Sequence, residues 1–278
     1  MVKKFTQYDK INMKISIIIP TYKPKEYLWE CLYSVKNQTF PKSEYEVIII
    51  LNGCTSPWKE QIDKYISCNM QGINVIFINT EKGGVSNARN IALDIAKGDY
   101  IAFIDDDDFI SPLYLEELYS KASEDTIPVC YPLSFIDGTQ DYKPYLITRD
   151  YIHNEGKGKC NYRNARKFFS GPVYKLINRK IIGNRRFDKR FCNGEDSLFM
   201  FLISDKFRYV DFTTKSAVYY RRFRKDSAVS KKRSRWNIIN NELKRMWQYT
   251  FIFFSSPFNY SFNFYITRML GAIRSMIE

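Results

Sequence analysis

The chain has 278 residues, of which 45 % are hydrophobic and 26 % charged, so it can bury an ordinary core and shows no disordered or fibrous bias. No apolar stretch of about 18 residues predicts a membrane-spanning helix, and we find no secretory signal near the start. The six cysteines are scattered and a single histidine is present, which argues against a zinc site or disulfide framework and favours a reducing cytoplasm.

The positive charge is concentrated in the second half of the chain. Residues 1–150 carry 16 Lys and Arg against 21 Asp and Glu, whereas residues 151–278 carry 27 against 9. The net charge of +13 therefore comes from the C-terminal half, which we expect to meet phosphates, an anionic membrane surface or nucleic acid.

Apolar runs and helical segments alternate along the first hundred residues. The runs cover residues 15–19, 47–51, 75–78 and 101–104. They are continuous and rich in β-branched residues, as in strands buried on both faces of a parallel sheet. Apolar side chains between them recur at helical spacing, for example Leu28, Leu32 and Val35. This order predicts an α/β fold with a doubly wound, mostly parallel sheet.

Polar, turn-forming loops follow each of the four predicted strands. In a doubly wound sheet the ligand lies beyond the carboxyl ends of the strands, so these loops are where we expect the chemistry. They cover residues 20–23, 52–55, 79–85 and 105–108. Beyond about residue 128 the pattern weakens into mixed strands and loops, and from about Trp236 it predicts helices rich in aromatic residues.

Four adjacent aspartates, Asp105, Asp106, Asp107 and Asp108, follow the fourth predicted strand. Neighbouring carboxylates repel one another, and a divalent cation relieves that repulsion. Mg²⁺ and Mn²⁺ take hard oxygen ligands, typically one or two carboxylates together with substrate phosphates. The run therefore predicts a metal site for a nucleotide diphosphate. The alternatives are a solvated acidic loop and an N-cap cluster for the helix near Pro112.

Four motifs occur in order between residues 16 and 108. They are Ser-Ile-Ile-Ile-Pro-Thr-Tyr at 16–22, Ser-x-x-x-Gln-Thr at 34–39, Gly-Gly-x-Ser-x-Ala-Arg-Asn-x-Ala at 83–92, and Gly-Asp-Tyr-Ile-x-Phe-x-Asp-x-Asp-Asp at 98–108. In this order they resemble the family-two inverting glycosyltransferases of the GT-A fold, of the type found in bacterial polysaccharide biosynthesis. The resemblance implies a nucleotide-sugar donor and Mn²⁺ or Mg²⁺ as cofactor.

The resemblance also assigns the donor site residue by residue. It implies that Asp107 binds the metal, that Asp105 lies near the ribose, and that Asp106 is their neighbour in the D-x-D element. Arg89 would face the base or the phosphates, with a salt bridge that caps its own helix as the alternative. Three residues after the first strand would pack on the nucleotide base: Pro20, Thr21 and Tyr22.

The loop after the second strand departs from the family pattern. The family commonly has two aspartates there, the second of which binds the edge of the base, whereas this chain has Asn52. An amide both donates and accepts hydrogen bonds, and a carboxylate only accepts them. Recognition of uridine can survive through the amide oxygen of Asn52, while guanosine and cytidine donors stay open.

A Glu-Asp pair, Glu195 and Asp196, precedes an apolar run that begins at Leu198. Sugar transfer needs a general base that takes the proton of the acceptor hydroxyl as it attacks. The resemblance implies that Asp196 is this base and that Glu195 is a supporting or acceptor-binding group. The alternative is that Asp196 only caps the helix beginning near Ser197.

A basic segment covers residues 219–230 and is similar to a family loop that closes over the donor. The resemblance implies that Arg222 and Arg224 clamp the departing diphosphate, because an arginine stabilises its developing charge. A solvated basic face is the alternative. A further segment, residues 171–176, is also similar to the family; we expect it to be structural except at Lys175.

The C-terminal region combines basic and aromatic residues, as in residues 231–236 and 244–247. Such segments bind anionic membrane surfaces, where aromatic rings lie at the level of the headgroups. Packing on the catalytic domain as a helical lid and binding of single-stranded nucleic acid are the alternatives.

The predicted organisation is an N-terminal extension, residues 1–12, a GT-A domain, residues 13–230, and a basic aromatic helical extension, residues 231–278. The GT-A domain divides into a nucleotide-binding half, 13–108, and an acceptor-binding half, 109–230. We predict a glycosyltransferase for a saccharide or lipid-linked acceptor in bacterial capsule, O-antigen or exopolysaccharide synthesis. We expect it in the cytoplasm or peripherally on the inner face of the cell membrane, without a nucleic-acid partner. The alternatives are a nucleotidyltransferase of similar fold and a basic nucleic-acid-binding protein.

Overall fold

A computed structural model describes residues 13–224 and 234–277. The predicted N-terminal extension, residues 1–12, lies outside the described residues. So do residues 225–233, which contain the predicted domain boundary at residue 230 and the end of the basic segment. The three-part domain division therefore stays a prediction.

Strands and helices alternate through the first part of the chain in the predicted order. The strands are β1 Ile15–Thr21, β2 Tyr45–Asn52, β3 Asn74–Thr80 and β4 Tyr100–Phe103. The connecting helices are α1 Tyr27–Lys36, α2 Trp58–Asn69 and α3 Val85–Ile95.

The central sheet has five strands in the order β3-β2-β1-β4-β9, where β9 is Leu176–Asn178. Neighbouring strands are parallel except for β9, which is antiparallel to β4. The doubly wound, mostly parallel sheet is thus confirmed. The chain adds β2 and β3 on one side of β1 and then places β4 on the other side. A ligand site is expected at such a reversal, between the carboxyl ends of β1 and β4.

Burial follows the position of each strand in the sheet. Every residue of β1 and β2 is buried, as their continuous apolar runs predict. The prediction of burial on both faces is wrong for β3, whose residues are half-buried or exposed because β3 is the edge strand. On α1 the predicted apolar face is buried, including Leu28, Leu32 and Val35.

Two three-stranded sheets and four helices follow. The new strands are β5 Phe109–Ile110, β6 Thr126–Val129, β7 Tyr131–Ile136, β8 Cys160–Asn161, β10 Tyr209–Phe212 and β11 Val218–Phe223. The helices are α4 Tyr114–Lys121, α5 Leu146–Asn154, α6 Arg179–Ile182 and α7 Glu195–Leu202. The sheets have the orders β6-β10-β8 and β5-β11-β7.

The pairing of β5 with β11 shapes the candidate site. These strands are antiparallel, and Tyr220 lies opposite Phe109. Residues that follow Tyr220 therefore run beside the residues that precede Phe109, which are the four aspartates. This register brings the end of β11 to the aspartate run although more than one hundred residues separate them in sequence.

Two helices, α8 Arg235–Ser255 and α9 Phe262–Ile277, end the described chain. Tyr249 and Phe264 from this helical pair are buried, and both rings contact Phe201 of α7. The structure therefore shows packing on the main domain, which the sequence analysis gave as an alternative to membrane binding. Among the described residues, no helix is both long and apolar enough to span a bilayer.

Candidate active site

The candidate site lies where β1, β2 and β4 end. The prediction that Pro20, Thr21 and Asn52 lie in loops is wrong. Pro20 and Thr21 are buried in β1, and Asn52 is the last residue of β2. The cause is the parallel register, which continues to the pair Thr21 and Leu51. Of the three residues predicted to pack on the base, only Tyr22 is exposed, at 54 %.

Asn52 uses its amide to connect neighbouring segments. Its Nδ2 donates to the carbonyl of Thr21 at 2.7 Å, and its Oδ1 accepts from the backbone N–H of Gly84 at 2.9 Å. An aspartate could not donate the first of these bonds. Asn52 thereby joins the end of β1 to the loop before α3, and its contact with the base stays a prediction.

Arg89 of α3 joins two carboxylates that are far apart in sequence. Its Nη2 donates to Asp105 Oδ1 at 2.9 Å and its Nη1 donates to Asp196 Oδ1 at 2.5 Å. The Arg89 side chain is only 3 % exposed. The structure does not show the alternative salt bridge that caps the same helix, because both acidic partners come from other elements.

Burial and charge oppose each other within this cluster. Burial lowers the pKa of Arg89, but the charges of Asp196 and Asp105 outweigh it and leave that pKa above its ordinary value. Burial raises the pKa of Asp196, although the Arg89 charge acts against the rise. A carboxylate with a raised pKa is a better proton acceptor than an ordinary one, as a general base requires.

Helix α7 begins one residue before Asp196. Gly194 is its N-cap, with a φ of 75°, so the alternative in which Asp196 only caps this helix is wrong. Glu195 and Asp196 both lie in the first turn, and Glu195 is 8 % exposed. Asp196 Oδ2 lies 3.8 Å from the point that a Cβ on Gly171 would occupy, which is ordinary van der Waals contact. Gly171 therefore lies directly beside the carboxylate.

Lys175 stabilises the loop that contains Gly171. Its Nζ is buried and donates to the carbonyls of Phe168, Gly171 and Val173 at 2.6–2.7 Å. Burial lowers the pKa of Lys175 to about 7. All three protons of the ammonium group are thus used on the backbone, which gives Lys175 a structural role next to the candidate base.

The remaining aspartates of the run differ in their partners. Asp106 Oδ2 accepts from Thr21 Oγ1 at 2.5 Å, and Asp108 Oδ1 accepts from the backbone N–H of Arg222 at 2.7 Å. Burial and the charge of Asp107 raise the pKa of Asp106 to about 7, and they raise the pKa of Asp108 well above its ordinary value. Because β5 follows the run, Asp105 to Asp108 do not cap α4, whose N-cap is Leu113.

Arg222 of β11 and Arg224, which follows this strand, both reach the run, but in different ways. Arg224 is ion-paired with Asp107 Oδ2 at 2.5 Å and also donates to the Tyr27 hydroxyl at 3.2 Å. Arg222 is buried, and its guanidinium bonds Glu30, Asp137 and the carbonyl of Asp107 at 2.5–2.8 Å.

These two arginines are not a solvated basic face. Their contact with a diphosphate stays a prediction, and Arg222 already has two carboxylate partners. The sequence does not predict the two carboxylate partners Glu30 and Asp137, because each lies in a segment without a recognisable motif and far from β11 in the chain.

The aspartate run fits a metal site that the substrate completes. Burial and the charge of Asp105 raise the pKa of Asp107, and a cation favours the ionised form of such a carboxylate. Arg224 supplies that cation in the structure. Within residues 13–224 and 234–277, no group of three or more acidic, histidine or cysteine ligands is arranged around one point. Mg²⁺ and Mn²⁺ commonly bind through one or two carboxylates and phosphate oxygens, so a substrate diphosphate would have to complete a metal site at this run.

The family of the chain is shown by its sequence. Residues 16–186 match the family model described as Glycosyl transferase family 2. The match covers more than half of the chain, which therefore belongs to this family. The resemblance drawn from the four motifs is confirmed, and the family decides against a nucleotidyltransferase.

Two curated relatives illustrate the range of similar proteins. A poly(ribitol-phosphate) β-N-acetylglucosaminyltransferase of Staphylococcus aureus, TarS, is 36 % identical over 105 residues, which are 38 % of this chain and 18 % of TarS. The chain thus matches less than a fifth of that protein's length. The GalNAc(5)-diNAcBac-PP-undecaprenol β-1,3-glucosyltransferase of Campylobacter jejuni is 26 % identical over 216 residues, or 78 % of this chain and 67 % of that protein.

Solved structures share the fold. TarS residues 1–349 in complex with UDP-GlcNAc superpose with a TM-score of 0.66 and 23 % identity, covering 85 % of this chain and 66 % of that one. GalNAc-T7 with UDP, GalNAc and Mn²⁺ gives a TM-score of 0.65 at 17 % identity, covering 91 % and 52 %. These likenesses confirm the predicted GT-A type of fold.

Proposed function

We propose that this protein transfers a sugar from a nucleotide-sugar donor to an acceptor hydroxyl with inversion, with Mn²⁺ or Mg²⁺ at Asp107 and Asp196 as general base. The Arg89 bridge is the observation that carries the proposal. One buried guanidinium holds Asp105, at the donor end of the sheet, next to Asp196, at the start of α7. A donor site and a base held this close together support direct displacement, in which positioning supplies much of the rate.

Each residue has a definite task in this reaction. Asp196 Oδ1 is held by Arg89, while Oδ2 lies beside Gly171, where the acceptor hydroxyl would bind. When bound, the metal supplies positive charge to the departing diphosphate. A metal at Asp107 would take the oxygen that bonds Arg224 and leave that guanidinium to contact phosphate oxygens.

The acceptor and the biological setting are inferred from the relatives. The UDP-GlcNAc bound to TarS supports a nucleotide-sugar donor, and UDP sugars are the first to test. The names of the two curated relatives, which act on poly(ribitol-phosphate) and on an undecaprenol-linked saccharide, support a polymer or lipid-linked saccharide acceptor in bacterial polysaccharide synthesis. We propose a cytoplasmic location, which the six free cysteines support.

The test measures thermal stability with UDP, GDP and CDP sugars, each with and without Mn²⁺. At about 100 times its dissociation constant, a ligand stabilises the folded state by about 2.7 kcal/mol, which raises the melting temperature by about 5 °C or more. Asp107→Asn should lose the part of the thermal stabilisation that depends on Mn²⁺. The control variant Asp150→Asn, which removes an ion pair with Lys167, should keep this Mn²⁺-dependent stabilisation. The proposal is overturned if no nucleotide sugar stabilises the protein under either condition.

A second measurement separates the acceptor from the donor. The backbone of Gly171 is extended, with a φ of −152°, which is a conformation that any residue can adopt. A larger residue is therefore sterically allowed at this position. Gly171→Leu should fill the space beside Asp196 and raise the KM for the acceptor while leaving nucleotide-sugar binding intact. An unchanged acceptor KM would place the acceptor elsewhere.

A further inference from the structure

Helix α8 carries a stripe of large apolar side chains that are exposed to solvent. These residues, each more than half exposed, are Trp236, Leu243, Trp247, Phe251 and Phe254. They recur at intervals of seven, four, four and three residues, so they lie along one side of the helix over about 27 Å. We call them the α8 stripe. Phe258, in the turn after α8, is also fully exposed.

The opposite side of α8 is fixed to the main domain. Tyr249, Ile252 and Phe253 are buried there. The Tyr249 hydroxyl shares a hydrogen bond of 2.8 Å with Ser197 Oγ, one residue after the candidate base. One face of α8 is thus held firmly while the other presents the stripe to solvent.

The fixed side of the helical pair contacts the loops of the candidate active site. Asn241 Nδ2 donates to the carbonyl of Asn193 at 3.3 Å. The Arg245 side chain covers Gly194, where a Cβ would collide with the guanidinium. Arg268 of α9 donates to the carbonyl of Phe169, which lies near the end of the 3₁₀ helix Tyr162–Ser170, just before the loop stabilised by Lys175. The α8 stripe is therefore about one helix diameter, roughly 10 Å, from the segment that begins α7.

The helical pair is positively charged. Residues 234–277 contain five basic residues and a single acidic residue, Glu242. Glu242 is 5 % exposed and ion-paired with Arg245, so this part of the chain has no exposed acidic side chain. Arg235 and Lys244 are exposed and directly follow or precede residues of the α8 stripe.

We propose that the α8 stripe docks on an anionic lipid bilayer, with the helix axis in the plane of the membrane. Tryptophan and phenylalanine rings bind at the level of the headgroups, and lysine and arginine attract anionic lipids. Binding in the plane agrees with a helix whose exposed apolar stripe runs along its whole length while its opposite side is packed on the main domain. The proposal rests on the exposure, composition and charge of α8 and not on the proposed function.

A second copy of the chain is the competing occupant of this surface. Two such faces would bring the positive charges of Arg235 and Lys244 together without an exposed acidic side chain to compensate them. An anionic membrane supplies the opposite charge. Charge complementarity therefore favours the membrane.

Docking at the α8 stripe has a consequence for the proposed transfer. A bilayer on the outer side of α8 would place a membrane-borne acceptor about one helix diameter from the segment that carries Asp196. Anionic vesicles should then stimulate transfer to a lipid-linked acceptor and leave transfer to a water-soluble acceptor unchanged.

The test is sedimentation of the full chain with vesicles of phosphatidylcholine, alone or mixed with phosphatidylglycerol. We expect binding to the mixed vesicles, and we expect it to weaken as salt is added. A triple variant, Trp236→Ser, Trp247→Ser and Phe251→Ser, should lower the partition coefficient at least about tenfold, because it removes apolar area from the contact. Lys244→Ala should lower it about fivefold.

A matched control replaces three equally exposed apolar residues elsewhere. Tyr33, Ile136 and Leu146 are 64 %, 63 % and 61 % exposed, and their triple change to Ser should leave vesicle binding unchanged. Melting temperatures of both variants establish that they are folded. Because no nucleotide sugar is needed, the result is independent of the proposed function.

Three outcomes would overturn the proposal. The first is no binding to anionic vesicles. The second is an equal loss of binding in the control and stripe variants. The third is a wild-type dimer that the stripe substitutions convert to a monomer in sedimentation velocity, which would assign the surface to a second copy.

Discussion

The two ends of the aspartate run meet their arginines in different surroundings. At one end Arg89, with a side chain 3 % exposed, pairs with Asp105 and Asp196. At the other end Arg224, 21 % exposed, pairs with Asp107 alone. Arg89 is almost fully buried and is shared by two carboxylates, so replacing it removes two ion pairs at once, whereas the more exposed Arg224 has one such partner and exchanges it for water or ions at lower cost. The Arg89 end is therefore the fixed part of the site, and the Arg224 end is the exchangeable part.

Arg89→Met should have the largest effect, because it leaves Asp105 and Asp196 without their shared cation. We expect the free energy of unfolding to fall by about 2–3 kcal/mol, less than for a fully buried pair, because Asp105 and Asp196 are 40 % and 31 % exposed and water compensates part of their charge. Chemical denaturation measures this loss. Arg89→Lys keeps the charge but cannot bridge both carboxylates in the same planar geometry, so it should recover only part of the stability. If Arg89→Met lowers the free energy of unfolding no more than Arg224→Gln does, the Arg89 end of the aspartate run is not more firmly fixed than the Arg224 end.

Asp196→Asn tests the fixed end through catalysis. Loss of a general base lowers kcat by about 10²–10⁴-fold. Because the amide oxygen can still accept from Arg89, the fold and nucleotide-sugar binding should be retained. Steady-state kinetics and calorimetric titration measure the two quantities separately. A fall in donor affinity without a fall in kcat would contradict the role assigned to Asp196.

Asp106→Asn probes the middle of the run through pH. The pKa of Asp106 is about 7 in the folded protein, above the ordinary value of 3.8, so the folded state holds this proton more tightly than the unfolded state does. The contribution of Asp106 to the free energy of unfolding is therefore most favourable below about pH 4, and this contribution is lost as the pH rises to about 7. In the absence of added metal, the variant should melt at least about 3 °C above the wild type at pH 8 and near it at pH 4. If the difference in melting temperature between the variant and the wild type does not vary with pH, the pKa of Asp106 is not raised in the folded protein.

Arg224→Gln should have the smallest effect on stability, about 1 kcal/mol or less, because the ion pair is partly exposed. Its main effect is expected on the affinity for the nucleotide diphosphate. Arg222→Gln is the matched comparison, since Arg222 is 8 % exposed and bonds both Glu30 and Asp137. Arg222→Gln should destabilise the fold more than Arg224→Gln does, and it should change the affinity for the diphosphate less. If the two variants show the opposite pattern, Arg222 is the arginine that binds the diphosphate and Arg224 is the structural one.

The sequence predicted local features well where one segment determines them. The apolar runs identified β1, β2 and β4, and the four ordered motifs identified the family. Loop boundaries were less accurate, because the sheet register extends β1 and β2 through Thr21 and Asn52. The exposure of β3 also escaped prediction, since a strand's place at the edge of a sheet depends on the order of all the strands.

The sequence by itself determined the fold class, the aspartate run and the Glu-Asp pair at α7, because each depends on residues that are neighbours in the chain. Only the tertiary structure decided which of these charges meet. It paired Arg89 with Asp196, 107 residues away, and enclosed Arg222 between Glu30 and Asp137. It also turned one side of α8 toward the active-site loops and left the other to solvent. Such pairings depend on sheet order and helix packing, which no local pattern of residues specifies.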